Sequence, residues 1–139
     1  MSLFNVFDVS ATGMSAQSTR LNTTASNIAN AESVSSSANQ VYRARHPVFA
    51  AQMQKFAGEQ QTSTGVQVLG IVESDAPLKV EYLPQHPMAD KDGYIYKPNV
   101  NVIEEMTNMI SASRSYQTNI QLAESAKNML NKTLLLGQR

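Results

Sequence analysis

Two apolar stripes at coiled-coil spacing occupy the ends of this 139-residue chain, and its middle carries none. Near the N-terminus, Phe7, Ala11, Met14, Ser18, Leu21, Ala25 and Ile28 alternate steps of four and three. Near the C-terminus, Val102, Met106, Met109, Ser113, Tyr116, Ile120, Ala123, Lys127, Leu130 and Leu134 repeat the alternation. That spacing keeps one helix face turned toward a partner over its whole length. The stripes lie about 75 residues apart, so pairing them within one chain folds the chain back on itself. The expected fold is mainly α with a small β lobe: long N- and C-terminal helices paired as an antiparallel coiled coil, and a short β-rich middle. In that pairing Leu21 falls against residues 113–120.

The first helix is predicted over residues 6–30, with Asn5 as its cap and Asp8 at the positive end of its dipole. Gly13 inside it costs roughly 1 kcal/mol relative to Ala. Residues 32–39, ESVSSSAN, lack periodicity and read as a loop. Residues 41–50 read as a short extended piece interrupted by Pro47, and residues 52–65 as a surface excursion or tip. Residues 66–72 (VQVLGIV) and 78–83 (LKVEYL) are β-branched and alternate, which marks strands. Asp92-Gly93 suits a tight turn before Tyr94-Ile95-Tyr96. The second helix starts after Pro98, with Asn101 as cap and Glu104 at the capping-box position, and stops at Gly137. Its 36 or so residues would span about 54 Å. The chain thus divides into a helical domain, residues 1–31 plus 98–139, and a lobe, residues 32–97.

Composition favours assembly over chemistry. Eleven basic and eleven acidic residues cancel, which leaves no electrostatic case for nucleic acid or an anionic membrane. Cysteine is absent, so there is no disulfide framework, thiol nucleophile or thiolate metal site. No run approaches the roughly 20 apolar residues of a membrane span, and residues 1–10 do not read as a cleaved signal peptide. Ser, Thr, Asn and Gln make up 46 residues while charged residues are 16%. Uncharged polar groups are cheaper than charges to bury between subunits.

No constellation suggests catalysis or a cofactor. His46 and His86 each precede proline, without the ligand spacing of a metal site. Asp90-Lys91-Asp92-Gly93 resembles the middle of a calcium loop, but Met88 and Asn99 stand where two essential ligands belong. Glu104 and Glu105 are adjacent on a helix and point apart. Neither a phosphate-binding glycine loop nor a nucleophile elbow occurs. Catalytic, cofactor-binding and metal residues are all expected to be none.

The segment SAQSTRLNTTASNIANA, residues 15–31, resembles the N-terminal motif of the bacterial flagellar rod and hook proteins. Ala16, Gln17, Arg20, Leu21, Ser26, Asn27, Ile28, Ala29 and Asn30 carry the likeness. PNVNVIEEMTNMISASRSYQTNI, residues 98–120, with the final TLLLGQ, is similar to the family's C-terminal motif. Many relatives follow the first motif with Thr-Pro-Gly-Tyr, whereas this chain has Ala31-Glu32-Ser33-Val34. That difference sets it apart from the distal-rod and hook members, and its small size and the wording PNV…EEM…SASRSYQ resemble the proximal-rod members.

The resemblance implies a structural subunit of an axial tube in the basal body, in the periplasmic region. It would be exported unfolded by the flagellar type III system, transmit torque, and enclose the export channel. Implied partners are copies of itself and other rod proteins, together with the rod-base adaptor and the MS ring. Nucleic acid, small-molecule substrate and direct membrane insertion are not expected. The subunit-packing residues would be Phe7, Met14, Leu21, Asn27, Ile28, Asn30, Met106, Met109, Tyr116, Ile120, Leu130, Leu134, Leu135 and Leu136. A second apolar set, Leu122, Met129, Leu135 and Leu136, lies off the main stripe and needs another partner. The alternative reading is a soluble coiled-coil adaptor or export chaperone.

Overall fold

A computed structural model describes residues 3–54 and 62–137 of the chain. Helix α1 spans Leu3–Asn30, strands β1 and β2 span Arg45–Gln54 and Thr62–Glu73, β3 and β4 span Lys79–Tyr82 and Tyr94–Lys97, and α2 spans Val102–Gly137. The helices, 28 and 36 residues long, make up about half of the chain. They are in contact, and the order of contacts is antiparallel: Gly13 lies against Asn119, while Arg20 donates to Asn108 Oδ1 at 2.9 Å. The expected fold class is the observed one.

Asn101 caps α2 as predicted. Its Oδ1 accepts the Ile103 N–H at 3.2 Å, and its carbonyl accepts the Glu105 N–H at 3.0 Å. Asn5 does not cap α1, since the helix already includes it. Asparagine is only mildly unfavourable inside a helix, so continuation of the helix overrides the local preference. The C-terminal turn of α1 tightens through Ala31 N–H to Ile28 O and Ser33 N–H to Asn30 O. Much of the hydroxyl content is absorbed locally. Thr19, Ser26, Thr107, Thr118 and Thr133 each donate to the carbonyl four residues back.

Strands β1 and β2 form one two-stranded sheet, and β3 and β4 another. The predicted strands at 66–72 and 78–83 are both present. The expected short piece at 41–50 is instead β1, which accepts Pro47 because each strand of a two-stranded sheet has an open edge. Of the expected excursion at 52–65, residues 52–54 and 62–65 belong to strands; the remainder lies outside the described residues. Strands β3 and β4 pair antiparallel with Lys79 opposite Lys97. That like-charge pair is relieved on both sides. Lys97 Nζ meets Glu81 Oε2 at 2.6 Å, and Lys79 Nζ donates to the Val100 carbonyl at 2.9 Å. Gly93, at φ 82°, makes the turn into β4. The Ser-rich loop returns to this sheet through a single bridge, Ser35 to Tyr96.

The chain forms two compact units. The first comprises Met1–Thr19, Val48–Gly70 and Ser111–Arg139, and the second Arg20–Pro47 and Ile71–Ile110. In the first, the Val66 N–H donates to Thr12 Oγ1 at 3.2 Å, and Gly65 lies so close to Thr12 that no side chain would fit. In the second, Ala31, Ala44 and Val100 form a small core with Tyr42 and Val102 packed against it.

Candidate assembly surface

Burial along the two helices follows the predicted alternation in one column and leaves it in the other. Phe7, Met14, Leu21 and Ile28 are half-buried, as are Met109, Tyr116, Ala123 and Leu130. The intervening column is shifted by one residue toward the N-terminus in both helices. On α1, Ser10 and Thr24 are buried and Gln17 is half-buried, whereas Ala11, Ser18 and Ala25 are exposed. On α2, Glu105, Ala112 and Ala126 are buried and Asn119 is half-buried, whereas Met106 and Lys127 are exposed. Ser113 and Ile120 stay half-buried. Small side chains hold four of these positions, Ser10, Thr24, Ala112 and Ala126, and Ala112 is 0% exposed; interaxial distance is set by the residues at the contact. Apolarity counting favours large residues and passes over such positions.

The large apolar groups displaced from that contact face outward. Ile103, Met106 and Ile110 are exposed on the first half of α2. On its second half, Leu122, Met129 and Leu136 recur every seven residues at 48%, 59% and 76% exposure. Leu134 and Leu135 are also exposed, at 61% and 65%. A row of apolar side chains at one heptad position leaves an uncovered stripe along this face of the helix.

Asn27, in contrast, is fully buried. Its Oδ1 accepts from the Tyr42 hydroxyl at 2.8 Å and from the Arg45 N–H at 2.9 Å. Its Nδ2 donates to the Arg45 carbonyl at 2.8 Å. Asn30 is half-buried and donates to Ser26 O in its own helix at 2.8 Å. The Arg45 guanidinium lies 5.4 Å from the Tyr42 ring centroid and pairs with Glu73 at 3.0 Å. Burial pushes the Tyr42 phenol above its ordinary pKa, against the opposing pull of Arg45. Sequence reasoning missed Tyr42, which serves this node through its hydroxyl and ring, and Arg45 and Asn99, whose contacts here involve backbone groups and have no periodic trace.

A shallow cavity of about 160 Å³ is lined by Asn22, Thr23, Ser26, Arg45 and Ile71, and its one charged group, Arg45, is already engaged by Glu73. Among the described residues, no cluster of acidic or histidine side chains is arranged to hold a metal, and no helix is long and apolar enough to cross a membrane.

Residues 7–35, most of α1 and the turn after it, match the family described as "Flagella basal body rod protein". Residues 91–136, which include nearly all of α2, match "Flagellar basal body rod FlgEFG protein C-terminal". Both matches fall largely on the two helices and place the chain in a structural, non-enzymatic class, the flagellar basal-body rod proteins. Over 138 residues the chain is 49% identical to the flagellar basal-body rod protein FlgC of Salmonella typhimurium, covering 99% of this chain and 100% of that protein. It is 47% identical, with the same coverage, to the FlgC proteins of Escherichia coli and Yersinia enterocolitica. The chain belongs to the FlgC family of flagellar basal-body rod proteins.

Proposed function

We propose that this chain is a subunit of the proximal part of the rod and that its paired helices build the wall of an axial tube. Residues 1–31 and 98–139 form the tube core in this reading, and residues 32–97 the outer lobe. The tube transmits torque across the periplasmic region and encloses the channel for later export substrates. The chain itself travels by the flagellar type III route. Its neighbours are copies of itself and other rod proteins, with the rod-base adaptor and the MS ring at the membrane-proximal end.

The observation that carries this reading is the exposed row Leu122, Met129 and Leu136 on a helix that already has an intrachain partner. Covering such side chains is worth roughly 1.5–3 kcal/mol each, a gain realised only when another helix arrives. Met106, Leu134, Leu135 and Leu136 serve these intersubunit contacts, alongside Phe7, Met14, Leu21, Ile28, Asn30, Met109, Tyr116, Ile120 and Leu130 on the faces they border. Asn27 holds the subunit's own shape between them. The test is a Leu122→Gln, Met129→Gln double variant in place of the native chain. It should be expressed at normal level yet yield no complete basal bodies. Intact, motile flagella built from it would contradict the proposal.

A further inference from the structure

Two asparagines, one near the end of α1 and one just before α2, grip consecutive residues at the base of the β1–β2 sheet. Asn27 binds both backbone groups of Arg45, the first residue of β1. Asn99 Oδ1 accepts the Ala44 N–H at 2.8 Å. The same Asn99 donates through Nδ2 to Ser74 O at 3.2 Å and to Ala76 O at 2.9 Å, just past the end of β2. The Ser74 N–H closes the ring on Ala44 O at 2.7 Å. Every polar backbone group of residues 44 and 45 named here is therefore held by an amide side chain or by the Ser74 N–H.

We infer that Asn27 and Asn99 are a two-jawed clamp that positions the base of the β1–β2 sheet, so that it seats only when both terminal helical segments are in place. An amide is suited to this task because it donates and accepts at once, mimicking a neighbouring strand. Apolar packing could not direct the strand in the same way: among the described residues the core here is small, Ala31, Ala44 and Val100 with Tyr42 and Val102 against it, and hydrophobic contact is non-directional. Hydrogen bonds between buried polar partners are directional and costly to leave unmade. In a rod, the clamp would make the sheet's seating depend on ordering of the helices. That consequence rests on the rod reading, whereas the clamp itself does not.

The test is amide hydrogen exchange in the purified full chain, with helix content followed by circular dichroism. Asn27→Asp keeps the acceptor for Arg45 N–H and Tyr42 but sets a carboxylate oxygen against the Arg45 carbonyl. Asn99→Asp does the same to Ser74 O and Ala76 O. Each single change should speed exchange at Ala44, Arg45 and Ser74 at least tenfold while helix content is kept. The double variant should add little beyond the larger single effect, because either jaw alone opens the clamp. Four outcomes would overturn the inference: no protection at Ala44 and Arg45 in the unaltered chain, unchanged exchange in both single variants, multiplicative effects in the double, or loss of all helix in both single variants. Motility of cells carrying the variants is scored separately, and its result bears on the rod reading alone.

Discussion

The side-chain amide of Asn119 lies 2.8 Å from the point that a Cβ on Gly13 would occupy. A glycine in mid-helix normally costs about 1 kcal/mol against alanine; here it makes room for α2. Gly13→Ala should be near neutral in thermal unfolding, since the propensity gain is offset by displacing the Asn119 amide. In an Asn119→Ala background the same change should stabilise by about 1 kcal/mol. Equal effects in the two backgrounds would show that the contact does not limit the helix spacing.

Gly93 is held at φ 82°, and a Cβ there would meet the Tyr82 ring at 2.9 Å and Pro84 Cβ at 3.1 Å. Tyr82 is also packed edge-on against Tyr94, with ring centroids 5.2 Å apart. Gly93→Ala should therefore destabilise by roughly 1–3 kcal/mol, seen as a lower denaturation midpoint and faster proteolysis between β3 and β4.

Much of this architecture can be read from residue order alone. Asn101 and Pro98 mark the start of α2 because caps and breakers act locally, and alternation in 66–72 and 78–83 reports strands for the same reason. The contact column of the helices is not legible in that way. Ser10, Thr24, Ala112 and Ala126 are small and Gln17, Glu105 and Asn119 are polar, and neither kind carries signal in a hydrophobic pattern. The Asn27–Asn99 clamp is hidden for another reason: it joins side chains to backbone groups far along the chain, and a backbone contact leaves no mark on the residue type at positions 44 and 45 beyond excluding proline.

Stability should fall in alkali. Lys97 titrates above its ordinary value, chiefly through its hydrogen bond to Glu81, and Tyr42 titrates above its ordinary value through burial. In both cases the folded state holds the proton more tightly than the unfolded chain. The benefit is thus complete below the unfolded values of 10.5 and 10.0 and is lost as pH climbs through the folded ones. Unfolding midpoints measured from pH 9 to about 11.5 should decline. Lys97→Met should start lower and decline less. A pH-independent midpoint in the unaltered chain would refute the assignment.

No titratable side chain is expected to act chemically. His46 is exposed, and His86 serves its own turn, its Nδ1 accepting the Met88 N–H at 3.1 Å. His46→Ala, His86→Ala and Asp92→Asn should each leave swimming speed near normal in soft agar. Loss of motility with protein level and rod assembly unchanged would point to a role beyond structure.

The end of α2 gives the sharpest test of assembly. Leu134, Leu135 and Leu136 are consecutive, so they spread over about 200° of the helix surface and cannot all face α1. All three are exposed, Leu136 at 76%. In an isolated chain their removal therefore sacrifices little packing, and thermal stability should change by no more than about 0.5 kcal/mol. In a tube wall, neighbouring helices would cover them at roughly 1.5–3 kcal/mol each, repeated in every subunit. Deleting residues 133–139 should accordingly leave expression and the purified chain's unfolding midpoint almost unchanged while abolishing basal bodies and motility. A large drop in midpoint would mean that the leucines stabilise the single chain, and motile cells with intact rods would mean that no neighbour covers them.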